Sequence, residues 1–108
     1  MIQTAETGIL LLYSGNVYTS SGYAVGSARC ATAASACART SLSPVLATRG
    51  NIYGPGSQSP FQLPDGSWRL AYHAWVNVVG YDSGGQRTLH ILPLRFSGTA
   101  PNQNPIVG

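Results

Sequence analysis

The stretch from Ser59 to Asn77, SPFQLPDGSWRLAYHAWVN, decides the fold. Pro64-Asp65-Gly66-Ser67 is a turn with a mechanism: proline presets φ and glycine accepts positive φ. Trp68 to Asn77 after it is rich in strong strand formers and reads as a long strand. Ser59-Pro60-Phe61-Gln62-Leu63 before it reads as a shorter one, with Pro60 tolerated near its start. The unit is therefore strand, tight turn, strand.

The same plan appears on either side. Downstream, Gly80 to Gln86 reads as a loop and Arg87 to Phe96 as a strand, which Pro93 marks as outer or bulged. The Pro/Asn-rich tail Gly98–Gly108 is expected to be extended. Upstream, Ile9 to Ser14 is a short apolar run that reads as a buried strand ended by Gly15-Asn16. Asn16 to Gly22 is a Ser/Thr/Gly loop, and Tyr23 to Cys30 is the next strand. No segment carries sustained helical periodicity with caps, so the fold class is all-β. Tyr13-Ser14 and Tyr72-His73 fall at corresponding points of the two halves. A repeat of about 45 to 50 residues built from short strands is the mark of propeller blades. The expected division is blade one at about 1–48, blade two at about 49–97, and the tail at 98–108.

Composition narrows the function. The chain has 108 residues, room for one domain. All six cations are arginines spread along the sequence, with no stripe or cluster of the nucleic-acid-binding kind. No apolar run approaches the roughly 18 residues of a membrane span. Met1-Ile2-Gln3-Thr4 lacks the basic start of a signal peptide. Neither nucleic acid nor membrane is expected as a partner. The only acids are Glu6, Asp65 and Asp82, so any carboxylate chemistry must use these or another copy of the chain. No His/Cys/Asp cluster has metal spacing, and no serine sits in a nucleophile elbow.

The motifs Leu12-Tyr13-Ser14-Gly15-Asn16, Tyr23-Ala24-Val25-Gly26, Cys30…Cys37-Ala38-Arg39, Gly54-Pro55-Gly56, Asp65-Gly66-Ser67-Trp68, Tyr72-His73-Ala74-Trp75 and Gly84-Gly85-Gln86-Arg87-Thr88-Leu89-His90-Ile91 stand in register along nearly the whole chain. In this order they resemble the C-terminal two blades of family 43 glycoside hydrolases, the five-bladed β-propeller arabinofuranosidases, arabinanases and β-xylosidases. The resemblance implies glycosidase chemistry on arabinose- or xylose-containing glycans, and a secreted origin. It also implies that the family's base Asp, tuning Asp and acid Glu belong to blades preceding Met1, so none carries over. Many members have His after Gly-Pro-Gly; here Ser57-Gln58 follows, and neither metal nor other cofactor is expected.

Blade geometry sorts the remaining candidates. Glu6 and Asp65 lie in first-to-second-strand turns, and Asp82 follows a second strand, on the opposite face. The resemblance implies that Asp82's face is the active-site face, which makes it the one candidate catalytic carboxylate, weighed against a solvated Asp-Ser-Gly turn. Sugar rings stack on aromatics while their edges seek hydrogen bonds. Asn16, Tyr18, Tyr53, Gln58, His73, Tyr81 and Arg87 are the candidate sugar-binding residues. Tyr18 and Tyr81 lie inside polar loops. Trp75, at a strand end, is expected in the core. His73 reads either as a buried ring bonded to a carbonyl or as channel-facing, and His90 reads as a surface residue.

Cys30 and Cys37 fall where a third-to-fourth-strand hairpin belongs. A disulfide fits there, as the resemblance to secreted relatives also implies; two free thiols are the alternative in a reducing compartment. Two blades alone leave two apolar flanks, with no Lys to blunt sheet edges. A closed homo-oligomer is expected to cover them, with a trimer of six blades favoured over a dimer of four. A non-catalytic carbohydrate-binding module, or an inactive propeller fragment that self-assembles, is the alternative to an enzyme.

Overall fold

The computed structural model describes residues 1–108 and is all-β. The first sheet holds β1 (Ile2–Thr4), β2 (Gly8–Gly15), β3 (Ala24–Cys30) and β4 (Cys37–Arg39). The second holds β5 (Ile52–Gln62), β6 (Trp68–Val76), β7 (Arg87–Ser97) and β8 (Asn104–Val107). Each sheet has four strands in sequential antiparallel order, the arrangement of a propeller blade. A single 3-10 turn, Tyr81–Ser83, interrupts the β6–β7 loop. No helix is long and apolar enough to cross a membrane.

Strand alternation builds the core. On β2, Leu10 and Leu12 are buried, while Ile9, Leu11 and Tyr13 between them point to the opposite face and stay half-exposed. On β6, Leu70, Tyr72 and Ala74 are buried on one face in the same way. These faces meet, with Ile2, Val25, Leu94 and Val107, in one cluster between the sheets. Leu46 joins it from the connecting segment, held by reciprocal backbone bonds with Val25. Truncating a buried leucine at such a junction costs about 2–5 kcal/mol.

Three readings of the sequence need correction. First, β5 begins at Ile52 rather than Ser59, and Gly54-Pro55-Gly56 lies inside it. Two register shifts, between Tyr53 and Gly56 and between Gly56 and Ser59, absorb the residues that looked like breakers. Gly54 (φ 55°) and Ser57 (φ 51°) adopt positive φ there. Second, β7 is paired on both sides, although Pro93 suggested an outer strand. Pairing with β8 starts at Leu94↔Val107, and the Pro93 carbonyl accepts from Gly108 N–H, so the missing proline donor is not needed. Third, the tail continues the second sheet: Asn104–Val107 is its outer strand, buried at Pro105 and Val107.

The Cys30–Cys37 disulfide is formed, with Cα atoms 4.2 Å apart. The two residues are register partners at the β3–β4 hairpin.

Both ends of the inter-sheet junction are tied by arginines reaching backbone carbonyls. At the Glu6 end, the Arg29 guanidinium donates to the Thr7 carbonyl, and at 2.9 Å to both the Gln103 carbonyl and Asn104 Oδ1. Gln103 N–H donates to the Glu6 carbonyl at 3.0 Å. The opposite end carries the candidate site.

Candidate sugar-binding site

Two loops meet at that end. The β2–β3 loop turns at Asn16, whose φ of 68° lies in the left-handed region that asparagine tolerates. Its Nδ2 donates to the Gly22 carbonyl at 2.8 Å, so the Asn16 amide closes its own loop. The loop then lies against β5. Thr48 Oγ1 donates to the Ser21 carbonyl and accepts from Gly54 N–H, at 2.6 and 2.9 Å. A side chain at Gly54 would bring a Cβ within 2.5 Å of the Ser20 carbonyl oxygen, so only glycine allows this approach.

The β6–β7 loop folds over Trp75. Gly80 (φ 96°) and Gly84 (φ 86°) flank the Tyr81–Ser83 turn, and Gly85 N–H donates to the Gly80 carbonyl at 2.9 Å. The Tyr81 ring meets the Trp75 indole edge-on, with centroids 4.8 Å apart. Trp75 itself is fully buried, as expected, and its Nε1–H donates to the Tyr18 carbonyl at 2.8 Å.

Tyr18, Thr19, Gly80, Tyr81, Asp82 and Ser83 line an open cleft of about 420 Å³. Tyr18 and Tyr81 are 47% and 60% exposed, so both side chains are accessible from the cleft. Asp82 is exposed beside them.

Of the other predicted residues, Gln58 and Arg87 spend their side-chain donors within the protein, as Asn16 does. Gln58 Oε1 accepts from the Ser14 hydroxyl at 2.7 Å, and its Nε2 donates to the Leu12 carbonyl at 3.1 Å, stapling the two sheets. Arg87 donates to the carbonyls of Gly54 (3.0 Å), His73 (2.7 Å) and Tyr18 (3.3 Å). Burial lowers its pKa from the ordinary value, opposed by the neighbouring Tyr23, Tyr81 and Tyr18. Tyr53 is half-buried and is the register partner of Trp75. His73 is exposed rather than buried, because it alternates with the core residues Tyr72 and Ala74 and points to the outer flank. His90 is half-buried, stacked on Tyr72 at 5.3 Å, with Thr88 Oγ1 at 2.9 Å from its Nε2.

Glu6 and Asp65 stand in the β1–β2 and β5–β6 turns, away from the cleft. The Asp65 carboxylate accepts from the Ser67 hydroxyl and backbone N–H, which hold its pKa below the ordinary value. No group of three or more His, Cys, Asp or Glu side chains gathers where a metal would bind.

Sequence reading missed Tyr23. Its ring rests on Gly56, where an added Cβ would fall 1.9 Å from Cε2, and the Arg87 guanidinium lies 5.4 Å from its centroid. Hydrogen bonding from Ser14, and then from Ser57, lowers the phenol's pKa despite partial burial, and Arg87 adds to the effect. Tyr23 follows a loop directly and opens the Tyr23-Ala24-Val25-Gly26 motif, but nothing local reveals that Gly56 lies beneath it.

A second hollow, of about 230 Å³, is lined by Tyr13, Asn16, Arg39 and Ser41–Pro44. It opens beside Tyr13 on the outer flank of the first sheet.

No protein-family model matches the chain, and no curated protein does. Two solved structures are similar. A thermostable family-43 glycoside hydrolase is 30% identical, with a TM-score of 0.75 over 91% of this chain. An endo-1,4-β-xylanase from Bacteroides thetaiotaomicron is 30% identical, with a TM-score of 0.73 over 92%. The chain spans about a third of each, 30% of the first and 33% of the second. The resemblance read from the motifs thus agrees with the fold: over its two sheets this chain is similar to a portion of a family-43 glycoside hydrolase.

Proposed function

We propose that this chain is a glycan-binding unit of a family 43-type propeller, acting on arabinose- or xylose-containing glycans through the cleft of Tyr18, Tyr81 and Asp82. The observation that carries the reading is the meeting of two exposed tyrosines and the exposed Asp82 at one end of a fold shared with glycoside hydrolases. Hydrolysis by an inverting pair needs carboxyl groups roughly 6.5–9.5 Å apart. Asp82 is the only acid at this end, so hydrolysis requires a second carboxylate from another copy or from further polypeptide. Calorimetric titration with arabino- and xylo-oligosaccharides tests binding. A screen of aryl glycosides, with Asp82→Asn as control, tests hydrolysis. Absence of binding to every sugar in the series overturns the reading.

The outer flanks support self-assembly. Leu89 and Ile91, 65% and 54% exposed, stand opposite His73 and Ala71 on the outward face of the second sheet. Ile9, Leu11 and Tyr13 form the corresponding flank of the first. A head-to-tail ring in which one flank covers the other buries both, and six blades in a trimer fit the usual range. Such a ring brings three copies of Asp82 to one face. Light scattering after size exclusion measures the assembly.

A further inference from the structure

The cleft owes its two walls to a residue outside it. Trp75 is buried beneath both: its indole N–H holds the Tyr18 carbonyl, and its ring and that of Tyr81 form an edge-to-face pair. Arg87 adds a second donor to the same carbonyl while anchored on Gly54 and His73. Tyr18 belongs to the first sheet's loop, whereas Trp75, Tyr81 and Arg87 belong to the second sheet. These are the bonds made at Tyr18 itself; the other tie across the junction, Thr48 Oγ1 between the Ser21 carbonyl and Gly54 N–H, lies three residues further along the loop. The loop's internal bonds, Ser20 N–H to the Val17 carbonyl and Tyr23 N–H to the Ser20 carbonyl, set its shape but not its position across the junction.

We propose that Trp75 and Arg87 are positioning residues that fix Tyr18 opposite Tyr81 by holding the Tyr18 carbonyl, so that a sugar ring meets two preset aromatic walls. The inference rests on the glycan reading for its ligand, but not for the clamp itself. Preset walls matter because ordering a mobile loop on binding costs free energy that a rigid site avoids.

The test combines amide exchange with affinity for xylohexaose and arabinohexaose, using Arg87→Met, Tyr18→Ala and the double variant. Arg87→Met is expected to raise exchange at Ser20, Gly22 and Tyr23 about tenfold, leaving β3 unchanged, as for local opening of a loop. Affinity is expected to fall about tenfold, or 1.4 kcal/mol. Because Arg87 acts through Tyr18, the double variant is expected to bind no more weakly than Tyr18→Ala alone. Additive losses would mean that Arg87 meets the sugar itself, and would overturn the proposal. So would unchanged loop exchange in both Arg87→Met and Trp75→Phe. Trp75→Phe keeps a smaller aromatic ring and removes the donor, and carries the exchange test alone if Arg87→Met fails to fold. If the wild-type chain binds neither sugar, the glycan reading fails, and loop exchange still decides the clamp.

Discussion

The indole N–H of Trp75 donates to the backbone carbonyl of Tyr18 at 2.8 Å, joining a strand of the second sheet to a loop of the first, 57 residues earlier. It is one of the bonds that join two consecutive sheets at the end carrying the candidate site. With Arg87 above and Arg29 at the opposite end, the junction is closed by donors on carbonyls around an apolar centre.

The packing beneath Tyr81 predicts that Gly85→Ala is destabilising. An added Cβ would lie 2.5 Å from the Val78 carbonyl oxygen, 2.8 Å from that of Gly80 and 3.1 Å from Trp75. Overpacking of this kind costs about 1–3 kcal/mol. Urea denaturation measures the loss, and oligosaccharide affinity is expected to fall with it.

In the core, Leu70 is fully buried on the face that meets the first sheet. Leu70→Ala is expected to lower stability by about 2–5 kcal/mol. Leu89→Ala, on the exposed flank, is expected to change the monomer by less than about 0.5 kcal/mol. Comparable losses from both, seen in parallel denaturation curves of the monomer, would show that the inward face has been misassigned.

The Cys30–Cys37 bridge closes a short hairpin. Serine at both positions is expected to cost about 2–3 kcal/mol by the chain-entropy estimate. Folded, unreduced protein should take up no alkyl groups by intact mass; uptake of two would show free thiols.

The tyrosines predict an alkaline signature. Hydrogen bonding from Ser14 holds Tyr23 below the ordinary 10.0, whereas burial holds Tyr72 above it, with Arg49 opposing. A depressed acid stabilises the fold above its unfolded pKa, and that contribution is lost as pH falls through the folded value. Tyr23 thus favours folding more as pH rises towards 10.0 and beyond. Tyr72 acts oppositely: its contribution, full below 10.0, is lost as pH climbs through its raised folded pKa. In ultraviolet titration, Tyr23→Phe should remove ionisation from the low-pH side of the curve and Tyr72→Phe from the high-pH side. The reverse order would contradict both environments.

Self-assembly through the exposed flanks, as proposed, would depend on concentration. Size exclusion with light scattering is expected to show closed trimers at micromolar concentration, and Leu89→Glu with Ile91→Glu is expected to yield monomers, since buried charges oppose a close apolar contact. A monodisperse wild-type monomer would end the assembly proposal.

Much of the fold was legible along the chain. The apolar run Ile9–Ser14, the strand formers of Trp68–Asn77, the Pro64–Ser67 turn and the hairpin position of the two cysteines are local properties, and the strands and pairing order follow from them. What escaped was where a local signal is overridden by a neighbour distant in sequence. Gly54-Pro55-Gly56 looks like a strand breaker, yet bulges let it pair with β6 while Tyr23 and the Ser20 carbonyl occupy the space its glycines leave. Pro93 looks like an edge, yet β8 pairs only beyond it.

The site divides in the same way. Sequence alone marked Tyr18, Tyr81 and Asp82 as loop residues on one face, because loop position and blade order are one-dimensional facts. Only the tertiary structure decided that these three share a cleft, and that Asn16, Gln58 and Arg87 spend their donors on the protein's own acceptors. The reason is physical: a polar side chain's bonding capacity is filled by whichever partner the fold brings within about 3 Å, and that partner is fixed by packing across the two sheets, not by the residues on either side of it.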